Sequence, residues 1–397
     1  QDYQTAEHLY TQALALDPAF ALAHARLSTT LAYIYLNFQP KAEIKARARA
    51  EAEEALRLRP DGGAGHLARA LCLYWTERDY EGALRELQAC GRLLPNNPEV
   101  DFYTAAIHRR QGRWNDALAK FDHAVALDPR NALFVRELLN TYAMLRDWTA
   151  ARRTGERAVQ LAPDLPLVRI ENSYVALWSG DDLGPLRHTL GEIPRGVDPD
   201  GKVTLARWDA ALLMRDFAAA QREVETSAAA TVLMPFGATP LPKSYLLGCI
   251  ALARGEVARA QPLFEAGRTA MESEVRDFPL DAFRHAQLGL LYAYLGRKED
   301  ALREGRRAVE LLPESKDAYF GSDVSAYLAL IYARSGEPDQ ALELIERLLV
   351  TAGPVTRVFE PSITFQELRL RWQWDPLRGN PRFQKLLAGP EPKTVYR

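Results

Sequence analysis

Residues 98–129 read PEVDFYTAAIHRRQGRWNDALAKFDHAVALDP, and the fold can be read from them. Ala117, Phe121 and Ala124 are spaced by four and then three, which sets them on one face of a helix. The two alanines flanking the ring let a neighbouring helix approach closely. Pro129 closes the helix, because proline lacks an N–H and pushes the residue before it out of the helical region. Upstream, Gly112-Arg113-Trp114 reads as a tight turn between this helix and an earlier one. These residues therefore make one helical hairpin with an apolar face on its second helix.

The same punctuation recurs on either side. Prolines close helical stretches at 18, 60, 95, 129, 163, 279 and 313. The interval is 34 residues from Pro95 to Pro129, from Pro129 to Pro163 and from Pro279 to Pro313. A fixed period of this size means stacked supersecondary units, each burying its face only against its neighbours. The small-large-small pattern returns at Ala6/Tyr10/Ala13 and, more loosely, at Ala341/Ile345/Leu348. The turn returns as Arg78-Asp79-Tyr80, Arg146-Asp147-Trp148 and Arg215-Asp216-Phe217.

These features resemble the tetratricopeptide repeat, with its Leu-Gly-x-x-Tyr, Ala-x-x-x-aromatic and closing Pro signature. Leu288, Gly289, Tyr292, Gly296, Ala301, Ala308 and Pro313 carry the match, with Gly305 where an aromatic is usual. The resemblance implies an all-α, right-handed superhelical solenoid of stacked antiparallel hairpins, about nine and a half repeats plus a C-terminal cap. Residues 1–195 are expected to hold the first repeats, opening on a half repeat at 3–18. Residues 196–350 hold the later ones, after an irregular junction near 181–200, and residues 351–397 form the capping segment and tail. The unit at 21–60 is too long, so its first helix should run through Leu31–Leu36 to a loop at Asn37–Pro40. Near the end, Asn380 and Pro381 suit the start of a short helix laying Phe383, Leu386 and Leu387 on the last repeat. Trp372 and Trp374 read as core.

Two further stretches are similar to the C-terminal repeat regions of large bacterial signalling proteins, in which an array follows a serine/threonine kinase, an adenylate cyclase or a winged-helix regulator. They are Tyr10 to Ala21 with Tyr74-Trp75-x-x-Arg78-Asp79-Tyr80, and Leu311 to Ala318 with Trp374 to Phe383. That resemblance places any enzyme in another domain. The start at Gln1 and the unpaired first helix lead to the same expectation, a preceding helix and effector domain in the full-length protein.

Composition narrows the function classes. Lys+Arg number 50 against 52 Asp+Glu, so no global field gathers nucleic acid or anionic lipid, and neither a nucleic-acid partner nor a membrane span is expected. Cys72, Cys90 and Cys249 are too scattered for disulfides or zinc and read as buried thiols. On that thiol content the expected compartment is the cytoplasm, with a periplasmic array behind a membrane anchor as the alternative. No phosphate loop, nucleophile elbow or HExxH pair occurs, the seven histidines lack ligand spacing, and Asp181-Asp182 lies in irregular sequence. The expectation is a non-catalytic chain with no cofactor and no metal.

What remains is a protein-interaction scaffold that takes a peptide or partner protein in the groove lined by the first helices of the hairpins. The inward-facing polar set is Tyr103, Arg109, Arg110, Arg136, Asn140 and Tyr174. Guanidinium groups pair bidentately with carboxylates, so this set suits an acidic segment. Arg136 and Asn140, one turn apart, resemble half of a carboxylate clamp, while Glu171 and Tyr174 stand where the other half would be. The alternatives are a self-association module, pairing through exposed repeat ends, and a ligand-sensing or RNA-binding helical repeat.

Overall fold

A computed structural model of the chain describes residues 2–180, 182–196, 198, 201–227, 231–233, 240–355 and 361–396. Residues up to 130 make one compact unit and residues from 131 on make a second. The first unit runs α1 (Asp2–Leu16), α2 (Ala21–Asn37), α3 (Ala42–Leu58), α4 (Gly63–Cys72), α5 (Tyr80–Leu93), α6 (Pro98–Arg110) and α7 (Trp114–Leu127). A π-helical turn, Leu73–Glu77, extends α4. The second unit continues with α8 (Ala132–Met144), α9 (Trp148–Leu161), α10 (Pro166–Gly180), α11 (Gly184–Glu192), α12 (Lys202–Leu213) and α13 (Phe217–Thr226). After them come α14 (Lys243–Ala253), α15 (Val257–Asp277), α16 (Ala282–Tyr294), α17 (Lys298–Leu311), α18 (Phe320–Arg334) and α19 (Pro338–Val350). The chain ends with α20 (Phe365–Leu370), a 3-10 turn at Trp372–Leu377 and α21 (Pro381–Ala388). From α2 on, each even-numbered helix up to α18 packs against the odd-numbered one after it, the all-helical hairpin stack that the period dictates.

The turns inside the hairpins come in two chemistries. Gly112, Gly255, Gly296 and Gly336 take positive φ of 72°, 80°, 74° and 77°. Arg78, Arg146 and Arg215 sit at the equivalent place with φ of 55°, 54° and 57°, a conformation that crowds an L side chain. Each of these arginines is followed by an aspartate that caps the next helix: Asp79 accepts from Gly82 N at 2.9 Å, Asp147 from Ala150 N at 3.0 Å and Asp216 from Ala219 N at 2.9 Å. No such side-chain cap follows the glycine turns. The Arg-Asp pair thus couples a strained turn residue to a helix cap that offsets it.

The packing face is where the spacing puts it: Ala117, Phe121 and Ala124 are fully buried. Gly305 has a steric reason. A Cβ there would lie 2.8 Å from Ile331 Cδ1 and 3.0 Å from Leu328 Cδ1, so α18 fills the volume that an aromatic takes in other repeats. In the long unit, α2 does extend to Asn37, and α3 lengthens to match it.

Two features depart from the expected fold. Thr231–Leu233 pairs antiparallel with Pro240–Pro242, a two-stranded ribbon whose Val232 and Leu241 are buried, a local addition to a fold that remains all-α in class. Its strands are three residues long and the second is Pro-Leu-Pro, too short and too proline-rich to show the alternation that marks a strand in sequence. The second departure is the course of the C-terminal segment. Asn380 does cap α21, accepting from Arg382 N and Phe383 N, and Phe383 is buried. The preceding residues, however, run through the interior of the second unit. The expected junction at 181–200 also lies inside that unit, with 181, 197, 199 and 200 outside the described residues.

Candidate interaction surface

The six residues read from the sequence go to different places. In the first unit, Arg109 is 3% exposed with its guanidinium 5.2 Å from the centre of the Phe121 ring. Arg110 is 8% exposed, and its Nε donates to Tyr74 Oη at 3.2 Å. Both arginines use their planar groups against aromatic rings of the first unit, a common end for guanidinium beside a ring face. Tyr103 is half-buried, and burial raises its phenol well above the ordinary value.

In the second unit, Arg136 already has a carboxylate. Its Nε and Nη2 donate to the two Glu171 oxygens at 2.6 and 2.5 Å, and both side chains are largely buried. Burial works against the charge, yet Glu171 holds the Arg136 guanidinium above its usual value. Asn140 is buried. Tyr174 is fully buried, its hydroxyl donating to Asp209 Oδ2 at 2.8 Å. The clamp half is thus closed by the neighbouring repeat, the consequence of Glu171 standing one repeat along from Arg136.

Tyr103 belongs to a larger feature that a search for charge misses. Tyr33 on α2, Trp75 in the π-helical turn and Tyr103 on α6 form an aromatic stripe across successive first helices. Trp75 meets Tyr33 and Tyr103 edge-on at centroid distances of 5.9 and 5.7 Å, and Tyr3 stacks on Tyr33 at 4.1 Å. All three stripe residues keep part of their surface open, and Tyr3 and Phe38 at its edge are exposed. The extra residue of a π-helical turn rotates the side chains beyond it about the helix axis, and such turns recur at functional sites. Here it is the turn that carries Trp75.

The equivalent face of the second unit is filled by its own chain. Trp178 Nε1 donates to Glu367 Oε1 at 3.0 Å. Arg371 pairs with Glu367 and donates to both Asp209 oxygens at 2.6 and 3.1 Å. Trp372 lies 5.6 Å from the Tyr294 ring, with the Arg334 guanidinium 4.7 Å from its own ring centre. A cavity of about 20 Å³ remains between Tyr245, Gln287 and Trp374, room for one water. Arg146 secures the return of the chain. It donates to the carbonyls of Leu348, Thr351, Gly353 and Ile363 and to Thr394 Oγ1, all at 2.8–3.1 Å. Gly353, at φ 82°, is required there, since a Cβ would lie 2.4 Å from Ser322 Oγ.

Three histidines bind glutamates within their own hairpins. His24, His66 and His285 reach Glu51, Glu86 and Glu304 at 2.5, 2.7 and 2.7 Å. The three cysteines are free and buried, and burial pushes the Cys90 thiol up to about 11. Among the described residues no group of three or more His, Cys, Asp or Glu side chains is placed to hold a metal ion, and no helix is long and apolar enough to cross a membrane.

Tetratricopeptide-repeat models match residues 105–166 and 327–358. No curated protein matches the sequence. Among solved structures, the chain is similar to a human IFIT1 dimer with m7Gppp-AAAA, at 16% identity and TM-score 0.46, covering 78% of this chain and 68% of that one. It is similar to pilF of Pseudomonas aeruginosa at 16% identity and TM-score 0.40, covering 57% and 91%. A tetratricopeptide repeat protein from Parabacteroides merdae gives 14% identity and TM-score 0.43, covering 62% and 93%.

Proposed function

We propose that this chain, an array of tetratricopeptide repeats, is a non-catalytic scaffold that holds an extended peptide or partner helix on the aromatic stripe of its first unit. The observation that carries the reading is the partly open line of Tyr33, Trp75 and Tyr103 on consecutive first helices. Aromatic rings held in a fixed row offer large contact area at little entropic cost, which is how grooves of stacked hairpins take apolar side chains from a partner. An acidic segment gripped by Arg136 is not part of this reading, because Glu171 occupies that guanidinium. On its resemblance to the repeat regions of bacterial signalling proteins, the array serves a larger polypeptide whose catalytic domain lies elsewhere, in the cytoplasm.

The test is a peptide display selection on the immobilised full chain, with anisotropy titration of a selected peptide against wild type, Trp75→Ala and Tyr103→Ala. Each truncation at a central aromatic anchor is expected to weaken binding by on the order of tenfold or more. Selected peptides that bind both variants as tightly as wild type would remove the stripe from the reading. Selection of no peptide, with capture of single-stranded RNA instead, would replace the peptide reading with base stacking on the same rings.

A further inference from the structure

The groove-facing residues of the second unit have an occupant, and its chemistry is specific. One side chain from each of several first helices meets residues 365–377: Trp178 from α10, Asp209 from α12, Tyr294 from α16 and Arg334 from α18, with Tyr174 of α10 bonded to Asp209. These are the positions through which a stack of helical hairpins would meet a ligand. The occupant supplies an arginine to the buried Asp209 carboxylate and an indole to the Tyr294 and Arg334 pair. It also supplies main-chain carbonyls: Arg334 Nε donates to Gln373 O at 2.7 Å. The contact is intramolecular across long stretches of chain, 162 residues from Asp209 to Arg371 and 189 from Trp178 to Glu367.

We infer that residues 365–377 are a built-in ligand of the second unit, seated in its peptide groove and closing it to partners while seated. The groove is a receptor for a segment that places an arginine next to a tryptophan. Asp209 is the residue that selects the arginine, because a carboxylate held at 1% exposure keeps its charge satisfied only with a guanidinium in place. Tyr174 orients that carboxylate through its hydroxyl. Specificity for arginine over lysine comes from the two-point contact, since guanidinium reaches both Asp209 oxygens at once and an ammonium does not. The Tyr294 ring and the Arg334 guanidinium flanking Trp372 supply the second anchor. The inference stands apart from the stripe of the first unit, whose residues take no part in it.

The experiment uses the full chain with a protease recognition sequence inserted between Val355 and Pro361. After cleavage, a fluorescent synthetic peptide of residues 361–378 is expected to exchange into the groove. The R371Q peptide should bind at least tenfold more weakly, the loss expected when a buried carboxylate gives up its charged partner. The uncut chain should bind neither. Equal binding of the two peptides by the cleaved chain, or binding of wild-type peptide by the uncut chain, would overturn the inference. Because cleavage can unfold the unit, hydrogen exchange on the uncut wild-type chain gives a second reading. Amides of 365–377 should open at least tenfold more often than those of α16, as a seated ligand does. Protection identical to that of α16 would make the segment plain core and sink the proposal. Since Trp75→Ala leaves the second unit untouched, failure of the stripe and failure of the built-in ligand show up in separate measurements.

Discussion

Arg146 offers a sharp quantitative test of how the second unit is held together. Its guanidinium is buried among main-chain carbonyls, and burial pulls it from its ordinary value down to about 10. Keeping the charge there costs about 3 kcal/mol. Against this stand five donated hydrogen bonds, four of them to carbonyls from the returning chain. At the low end for a charged donor, about 1.5 kcal/mol each, they come to roughly 7 kcal/mol. Arg146→Met is therefore expected to destabilise the unit by about 4 kcal/mol, and Arg146→Lys, limited to three bonds in place of five, by about 3 kcal/mol. The backbone adds a control. Arg146 sits at φ 54°, so Arg146→Gly exchanges left-handed strain for backbone freedom while losing the same bonds, and should fall about 0.5 kcal/mol short of the Met variant's loss. Urea unfolding of the full chain in a Trp75→Phe/Trp114→Phe background reads the second unit through its indoles, of which Trp178, Trp208, Trp372 and Trp374 are buried in it. If Arg146→Gly is as stable as wild type, the five bonds contribute nothing net and the reasoning fails.

Three further outcomes are expected. Ala117→Phe places a ring where no volume exists and should cost about 1–3 kcal/mol; an unchanged melting temperature would contradict the packing register. His285 contacts acceptors through both ring nitrogens, Glu304 through Nδ1 and the Pro279 carbonyl through Nε2, so the folded state favours imidazolium. Burial opposes the charge, but those two hydrogen bonds raise its value above the usual 6.5. A raised folded value means the stabilisation is complete below the unfolded value and is lost as pH climbs through the folded one. Thermal melts between about pH 6 and 9 should therefore show a fall in wild type that His285→Gln lacks. Finally, Arg78→Gly exchanges left-handed strain for backbone freedom and should raise stability by about 0.5 kcal/mol; a clear loss in denaturant melts would show that the Arg78 side chain has a role of its own.

The hairpin register is legible in the sequence because its signals are local. Proline, the Ala-aromatic-Ala spacing and the Arg-Asp turn each act within a few residues, and the positive φ of Arg78, Arg146 and Arg215 falls where the pairs predict a turn. The aromatic stripe is only half legible: Tyr103 stands out as inward-facing, but its meeting with Trp75 depends on one extra residue in a π-helical turn, which no period reveals. The fate of the arginines is hidden for a different reason. A charge on a first helix reads the same whether its counter-charge is a partner's or, as with Arg136 and Glu171, that of the next repeat. The buried Trp372 and Trp374 do read as core, yet their segment is anchored far back in the chain, and spacing says nothing of contacts made across more than a hundred residues.

Those distant contacts change what kind of object the second unit is. A plain stack of hairpins meets only its nearest neighbours, so it frays from its ends and tolerates the gain or loss of a repeat. Here the tether from Asp209 to Arg371, and the one from Arg146 to Leu348, Gly353 and Ile363, fix how many hairpins lie between their anchor points. Deleting one hairpin would put the tail out of register with every inner helix at once. The unit must also wait for residues 365–377 before it can close, so during synthesis its inner wall stays bare until that segment leaves the ribosome.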